Sequence, residues 1–75
     1  MAKGPLVDQV CEALAKRHGS IECHASKIVA NLGLSGICNP GELSKALRKL
    51  AKKGRVIRTD LDGDMVHLKL RRARN

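Results

Sequence analysis

Apolar residues recur at helical spacing in three segments of this chain and alternate with polar residues in two others. In the first helical segment, residues 5–18, the apolar positions are Leu6, Val7, Val10, Cys11 and Leu14. Pro5 suits the first position of a helix, and Gly19 suits the residue that ends one. The spacing therefore predicts a first amphipathic helix over residues 5–18.

The next two segments are shorter. In SIECH, Ile21 and Cys23 alternate with polar neighbours, which predicts either a short strand or an extended link. ASKIVANLG places Ile28, Val29 and Leu32 on one face and predicts a second helix of about two turns. The stretch LSGICNP contains glycine and proline, and it predicts a turn between helices that is longer than the shortest ones.

The third helical segment, about residues 40–53, has the clearest start and end. Asn39 is predicted to be the N-cap, Pro40 the first helical residue and Glu42 the partner that completes a capping box. Gly54 is predicted to end the helix. The apolar positions are Leu43, Ala46, Leu47 and Leu50, which have the spacing of one helix face.

The C-terminal part predicts a β-hairpin. RVIRT and MVHLKL form its two arms, and Val66, Leu68 and Leu70 share one side of the second arm. Asp62 and Gly63 form a strong turn pair. The basic tail, residues 71–75, is predicted to be frayed, which leaves an ordered core of about residues 5–70 in a single domain spanning residues 1–75. The expected fold class is α+β, with three helices, a short strand and a two-stranded hairpin.

Charge is concentrated in one part of the chain. The whole chain has 15 Lys and Arg against 7 Asp and Glu, a net charge of +8. Residues 39–58 hold seven of these basic residues and one acidic residue, Glu42. A basic patch focused in this way on a small domain is typical of a protein that binds a polyanion. Phe, Tyr and Trp are absent, which argues against single-strand binding by base stacking.

The order of predicted elements resembles the winged helix-turn-helix family. The residues that carry the resemblance are ASKIVANLGLS, similar to the first half of a helix-turn-helix, and ELSKALRKLAKKGRVIR, similar to a recognition helix that runs into the first wing strand. Together they imply that Leu47, Leu50 and Val56 pack inward. The resemblance also implies that the third helix enters the DNA major groove while the wing contacts the backbone nearby.

The helical wheel places the basic residues of the third helix opposite its leucines. Lys45, Arg48 and Lys52 fall about 140–200° from Leu43 at the α-helical period. We expect Ser44, Lys45 and Arg48 to reach base edges, with Arg48 the best reader of guanine. Gly41, on the same stripe, is expected to allow close approach to the DNA. The expected phosphate contacts are Lys27, Lys49, Lys52, Lys53, Arg55 and Arg58.

Other kinds of site are weakly supported. Cys11, Cys23, His24 and Cys38 lack the close cysteine spacing of structural zinc sites, so three reduced thiols that pack as small hydrophobes are the expectation. DLDGD has its glycine at the wrong position for a calcium loop. Its acidic tip should be repelled by phosphate, so the strand base is the predicted contact. Neither a catalytic arrangement, a metal site, a cofactor nor a small-molecule substrate is expected.

The resulting expectation is an intracellular, cytoplasmic or nucleoid-associated regulator in a reducing compartment, since neither a membrane-length apolar run nor a signal-peptide pattern is present. It would bind double-stranded DNA sequence-specifically, as a homodimer, because one such module has a small footprint. Three alternatives remain open: an RNA- or ribosome-binding winged helix, an architectural DNA-binding protein, and a winged helix that binds proteins.

Overall fold

A computed structural model describes residues 4–71 as a small α+β domain with three helices and one antiparallel sheet. The helices are α1 (Leu6–Ala15), α2 (Ile28–Asn31) and α3 (Pro40–Lys52). A single 3-10 turn, Ala25–Lys27, leads into α2. The strands are β1 (Ser20–His24), β2 (Val56–Asp60) and β3 (Met65–Leu70).

The sheet has three strands in the order β1-β3-β2. Ile21 of β1 lies opposite Leu68 of β3, and Arg58 of β2 lies opposite the same residue on the other side. The sequence predicted a separate short strand, or a link, beside a two-stranded hairpin, and that description of the sheet was wrong. Residues 20–24 instead pair with residues 65–69 of β3 and turn the hairpin into a three-stranded sheet.

One apolar core lies between the helices and one face of this sheet. Val10 and Leu14 of α1, Leu50 of α3 and Leu68 of β3 are each at most 1% exposed. Within residues 4–71 every buried side chain is apolar, and no polar or charged one is buried. The inward packing predicted for Leu47, Leu50 and Val56 is confirmed, as is the shared buried side of Val66 and Leu68.

The first helix ends earlier than predicted. It stops at Ala15, not at His18. His18 itself takes the left-handed conformation, with φ of 63°, and its N–H donates to Ala15 O while the N–H of Gly19 donates to Leu14 O. These two bonds form a Schellman motif, in which the left-handed position is usually a glycine. The glycine was expected to end the helix, but a histidine does so one residue before it.

The third helix forms as predicted, and local hydrogen bonds explain its position. Asn39 Oδ1 accepts the Glu42 N–H at 2.7 Å, and Glu42 Oε1 accepts the Asn39 N–H at 2.9 Å. At the other end Gly54 has φ of 73°, and the Arg55 N–H donates to Leu50 O at 2.9 Å. Both ends of α3 are therefore set by residues next to it in sequence.

The hairpin loop contains the predicted turn pair, Asp62 and Gly63. Leu61 pairs with Met65 through its N–H, which leaves three residues, 62–64, in the loop. Gly63 adopts the left-handed conformation, with φ of 71°, as such loops require at one position. The predicted frayed tail falls on residues 71–75, of which residues 72–75 lie outside the described part of the chain.

Candidate nucleic-acid interface

Among the described helices and strands, α3 carries the most basic residues, and they lie on its exposed side. The apolar positions Leu43, Ala46, Leu47 and Leu50 are buried. The other side is exposed, and we call it the α3 stripe; its members are Gly41, Ser44, Lys45, Arg48, Lys49, Lys52 and Lys53. The predicted base-reading residues therefore share one solvent-facing surface with three of the predicted phosphate contacts.

The cations of the α3 stripe have no acidic neighbour at ion-pair distance within residues 4–71. In that part of the chain the ion pairs shorter than 4 Å are His24–Asp64 and Arg58–Asp60. Glu42, the single acid of α3, is used by the capping box at the helix start. Lys45, Arg48 and Lys52 repel one another at three- and four-residue spacing, a small cost that a bound polyanion would remove.

Gly41 has no structural requirement for glycine. Its φ lies outside the left-handed region, and an added Cβ would meet one non-neighbouring atom, Asn39 Oδ1, at 3.4 Å. The backbone N–H of Gly41 has no partner among the described residues, because Asn39 Oδ1 accepts from Glu42 and Asn39 O accepts from Leu43. A small residue with a free N–H therefore faces solvent at the start of the α3 stripe.

Arg55 lies between the α3 stripe and the sheet, and Arg71 lies beside it. The N–H of Arg71 donates to Arg55 O at 2.7 Å, and both residues line a shallow groove with His18. Arg71 was predicted to lie in the frayed tail, but the structure places it next to Arg55. Extending the β2–β3 register by one pair would have found it. Lys27 is exposed on the 3-10 turn before α2 and lies on a different element from the stripe.

Arg58 is less available than predicted. Its Nε donates to Asp60 Oδ1 at 3.1 Å, two residues along the same strand. Both side chains are exposed, so the pair is weak and is screened by salt. Arg58 was predicted to be a free phosphate contact, but Asp60, the nearest acid of the hairpin, lies on the same side of β2.

The acidic hairpin loop has a structural role that the sequence did not indicate. Asp64 Oδ2 accepts hydrogen bonds from the Ser26 hydroxyl at 3.1 Å and from the Ser26 N–H at 3.3 Å. Asp64 O accepts the Ala25 N–H at 2.7 Å, and His24 Nδ1 lies 3.9 Å from Asp64 Oδ2. These contacts hold the hairpin loop against the start of the 3-10 turn.

The cysteines pack as small hydrophobes. Cys11 and Cys23 are buried, Cys38 is half-buried, and all three are free thiols. Burial raises the pKa of the Cys23 thiol, and burial together with the charge of Glu42 raises that of Cys38. Within residues 4–71 no three His, Cys, Asp or Glu side chains come together in a way that would hold a metal ion.

No protein-family model, no curated protein and no solved structure matches the chain. Across residues 4–71 every helix is too short or too polar to cross a membrane.

Proposed function

We propose that this chain binds double-stranded DNA sequence-specifically, as a transcriptional regulator with a winged helix-turn-helix fold. The order of its elements, helix, strand, short helix, capped helix and hairpin, is the order on which the resemblance to that family rests. The α3 stripe is the observation that carries the proposal. It presents unpaired cations on a helix whose opposite side is anchored in the core.

In this proposal the N-terminal half of α3 lies in the major groove. A helix fits the width of that groove, and Arg48 would donate two hydrogen bonds to one guanine. Ser44 and Lys45 would reach the neighbouring base edges. The phosphate contacts would come from Lys49, Lys52 and Lys53, which fix the position on the duplex without reading its sequence.

Three further cations outside α3 belong to the proposed contact set. Arg55 is half-buried next to the end of α3, and its neighbour Arg71 adds a second cation beside it. Both would contact phosphate, and Lys27 would do so from the 3-10 turn. We leave Arg58 out of the contact set, because Asp60 already partners it.

Substitutions on α3 test base reading and phosphate binding separately. Arg48→Ala removes a base contact, so it should reduce preference at one base pair by about 1–3 kcal/mol. Lys52→Ala should weaken binding to every duplex about equally and reduce the salt dependence of the affinity by roughly one phosphate contact. Both effects are measured by fluorescence anisotropy over a series of salt concentrations, on duplexes selected from a random pool and on unrelated ones.

Lys16→Ala is the matched control, because Lys16 is an exposed lysine of the segment after α1 and lies outside the α3 stripe. It should change the affinity much less than Lys52→Ala does. If Arg48→Ala and Lys52→Ala both leave affinity unchanged, α3 does not bind the duplex. If duplex RNA binds as tightly as duplex DNA and the selection yields no motif, the chain instead uses the stripe to bind A-form phosphates.

A further inference from the structure

Strand β2 lies at an edge of the sheet, and one side of its backbone has no neighbouring strand within residues 4–71. Among residues 4–71 its one sheet partner is β3. Arg55 O accepts from the Arg71 N–H, and the Leu61 N–H donates to Met65 O. Antiparallel pairing uses every second residue, so Ile57 and Thr59 also bond to β3. The backbone groups of Arg58 and Asp60 therefore point outward from the free edge.

We propose that this edge pairs with the same edge of a second copy of the chain, in an antiparallel register centred on Thr59. In that register Thr59 lies opposite Thr59 of the second copy. Arg58 lies opposite Asp60 of the second copy, and Ile57 lies opposite Leu61. The result is a homodimer with one continuous six-stranded sheet, and the interface is the same surface on both chains.

Backbone geometry agrees with this register. Two residues that face each other in an antiparallel pair exchange both of their hydrogen bonds only when the groups of both point toward the partner strand. Arg58 and Asp60 satisfy that condition, since the backbone N–H and C=O groups of both residues point away from β3. The backbone groups of Thr59 point toward β3. Thr59 therefore occupies a non-hydrogen-bonded position on the dimer axis, where side chains of the two strands come closest.

Charge selects this register among those that the backbone allows. A register centred on Arg58 would place two arginines opposite each other, and one centred on Asp60 would do the same with two aspartates. Like charges directly opposite each other destabilise a sheet, whereas opposite charges stabilise it. The register centred on Thr59 has two unlike pairs and no like pair. The charges that weaken other pairings of this edge therefore favour this one.

The exposed apolar residues of the hairpin fit the same register. Ile57 is 44% exposed and Leu61 is 37% exposed. They are two of the three large apolar side chains that the described part of the chain exposes. Both lie on the sheet face away from the helices. In the proposed register Ile57 of one copy would pack against Leu61 of the other, and Leu61 against Ile57. Their exposure in a single chain is thereby explained.

The symmetry of the pairing has a consequence for α3. The axis that relates two antiparallel edge strands is perpendicular to the sheet, so it keeps the helices of both copies on the same side. If α3 binds DNA as proposed above, the dimer presents two α3 helices to one duplex and prefers an inverted repeat. The pairing itself does not depend on that function.

Charge exchange across the interface tests the pairing. Arg58→Asp leaves aspartate at both 58 and 60, and Asp60→Arg leaves arginine at both positions. Because residue 58 lies opposite residue 60 of the second copy, each variant would place like charges opposite each other and should not pair with itself. A mixture of the two restores both unlike pairs and should form a heterodimer. The combined variant, Arg58→Asp with Asp60→Arg, should dimerise like the original chain. Exposed ion pairs contribute little to folding, and thermal unfolding checks that each variant is folded.

Sedimentation equilibrium without nucleic acid is the measurement. Edge pairing buries less surface than a standard interface, so dimers should appear only at high concentration, up to about 1 mM. The mass of the original chain should rise above the 8.1 kDa of one copy, and the single variants should stay at that mass. Amide exchange at Arg58 and Asp60 should slow as concentration rises, while Ile57 and Thr59 are protected at every concentration.

Three results would overturn the proposal. The first is an original chain that remains at one copy's mass up to the highest concentration. The second is a mixture of the two single variants that associates no better than each alone. The third is association of the original chain without any change in amide exchange at Arg58 and Asp60, which would show a dimer built on another surface. Because DNA is absent, none of them bears on the proposed function.

Discussion

Replacing Gly41 by alanine should raise stability and lower affinity for DNA at the same time. The residue is the second of α3, and glycine in a helix is less favourable than alanine by up to about 1 kcal/mol. The added Cβ would meet Asn39 Oδ1 at 3.4 Å, which is an ordinary contact distance, so no clash offsets this gain. Since Gly41 lies in the first turn of α3, where the helix propensity has a smaller effect, we expect a gain in stability of about 0.5 kcal/mol.

That gain corresponds to an increase in melting temperature of about 2–4 °C for a domain of this size. The effect on affinity has the opposite sign, because the methyl group would hold the duplex away from the free Gly41 N–H. Loss of one hydrogen bond of this kind costs about 1 kcal/mol, or roughly fivefold in affinity. Thermal unfolding by circular dichroism and fluorescence anisotropy on the selected duplex measure the two effects.

Gly4→Ala is the matched control. Gly4 also has a φ outside the left-handed region, and its added Cβ would meet Asp8 Oδ2 at 3.5 Å, but it precedes α1 and lies away from the α3 stripe. Its replacement should leave affinity unchanged. A Gly41→Ala protein that is more stable and binds as tightly as the original would show that the duplex does not approach this residue. A Gly41→Ala protein that is less stable than the original would show that the added Cβ does clash with its surroundings.

Two further predictions concern stability. Asp64→Ala should lower the free energy of unfolding by about 1 kcal/mol, because the Ser26 hydroxyl and N–H lose their acceptor. Asp62→Ala is the control and should change that free energy little. Urea titration measures both variants. Stability should also fall as pH rises above the ordinary thiol pKa of 9.0, since burial raises the pKa of Cys23 in the folded state and the unfolded chain then releases its proton first. Cys23→Ala should reduce that alkaline loss, and an unchanged pH profile would contradict the assignment.

Helix α3 could be predicted closely because its signals are local. Asn39 and Glu42 cap its start and Gly54 ends it, all within a few residues of the helix itself. The buried and exposed sides of the helix followed from the spacing of its leucines alone. The end of α1 was misplaced because His18 already takes the left-handed conformation, one residue before Gly19, whose φ is also positive. Composition does not reveal that choice.

Long-range contacts account for most of the rest of what was missed. Alternation showed which side of β1 and β3 would be buried, but it does not state which strands pair, so the pairing of β1 with β3 was not predicted. Asp64 reaches Ser26 across 38 positions of sequence. The position of Arg71 beside Arg55 likewise depends on the folded register of the hairpin. The pairing of Arg58 with Asp60 is local, because the two residues lie two positions apart on the same side of β2.

The connection between α3 and β2 links the two proposals physically. Only residues 53–55 separate the helix from the strand, and the Arg55 N–H is bonded to Leu50 O. Leu50 and Val56 on either side of this connection are each 1% exposed in the core. The helix therefore cannot turn independently of the strand. Pairing through β2 would fix the distance and orientation between two α3 helices before DNA binds. The dimer would therefore be preorganised for one spacing between half-sites.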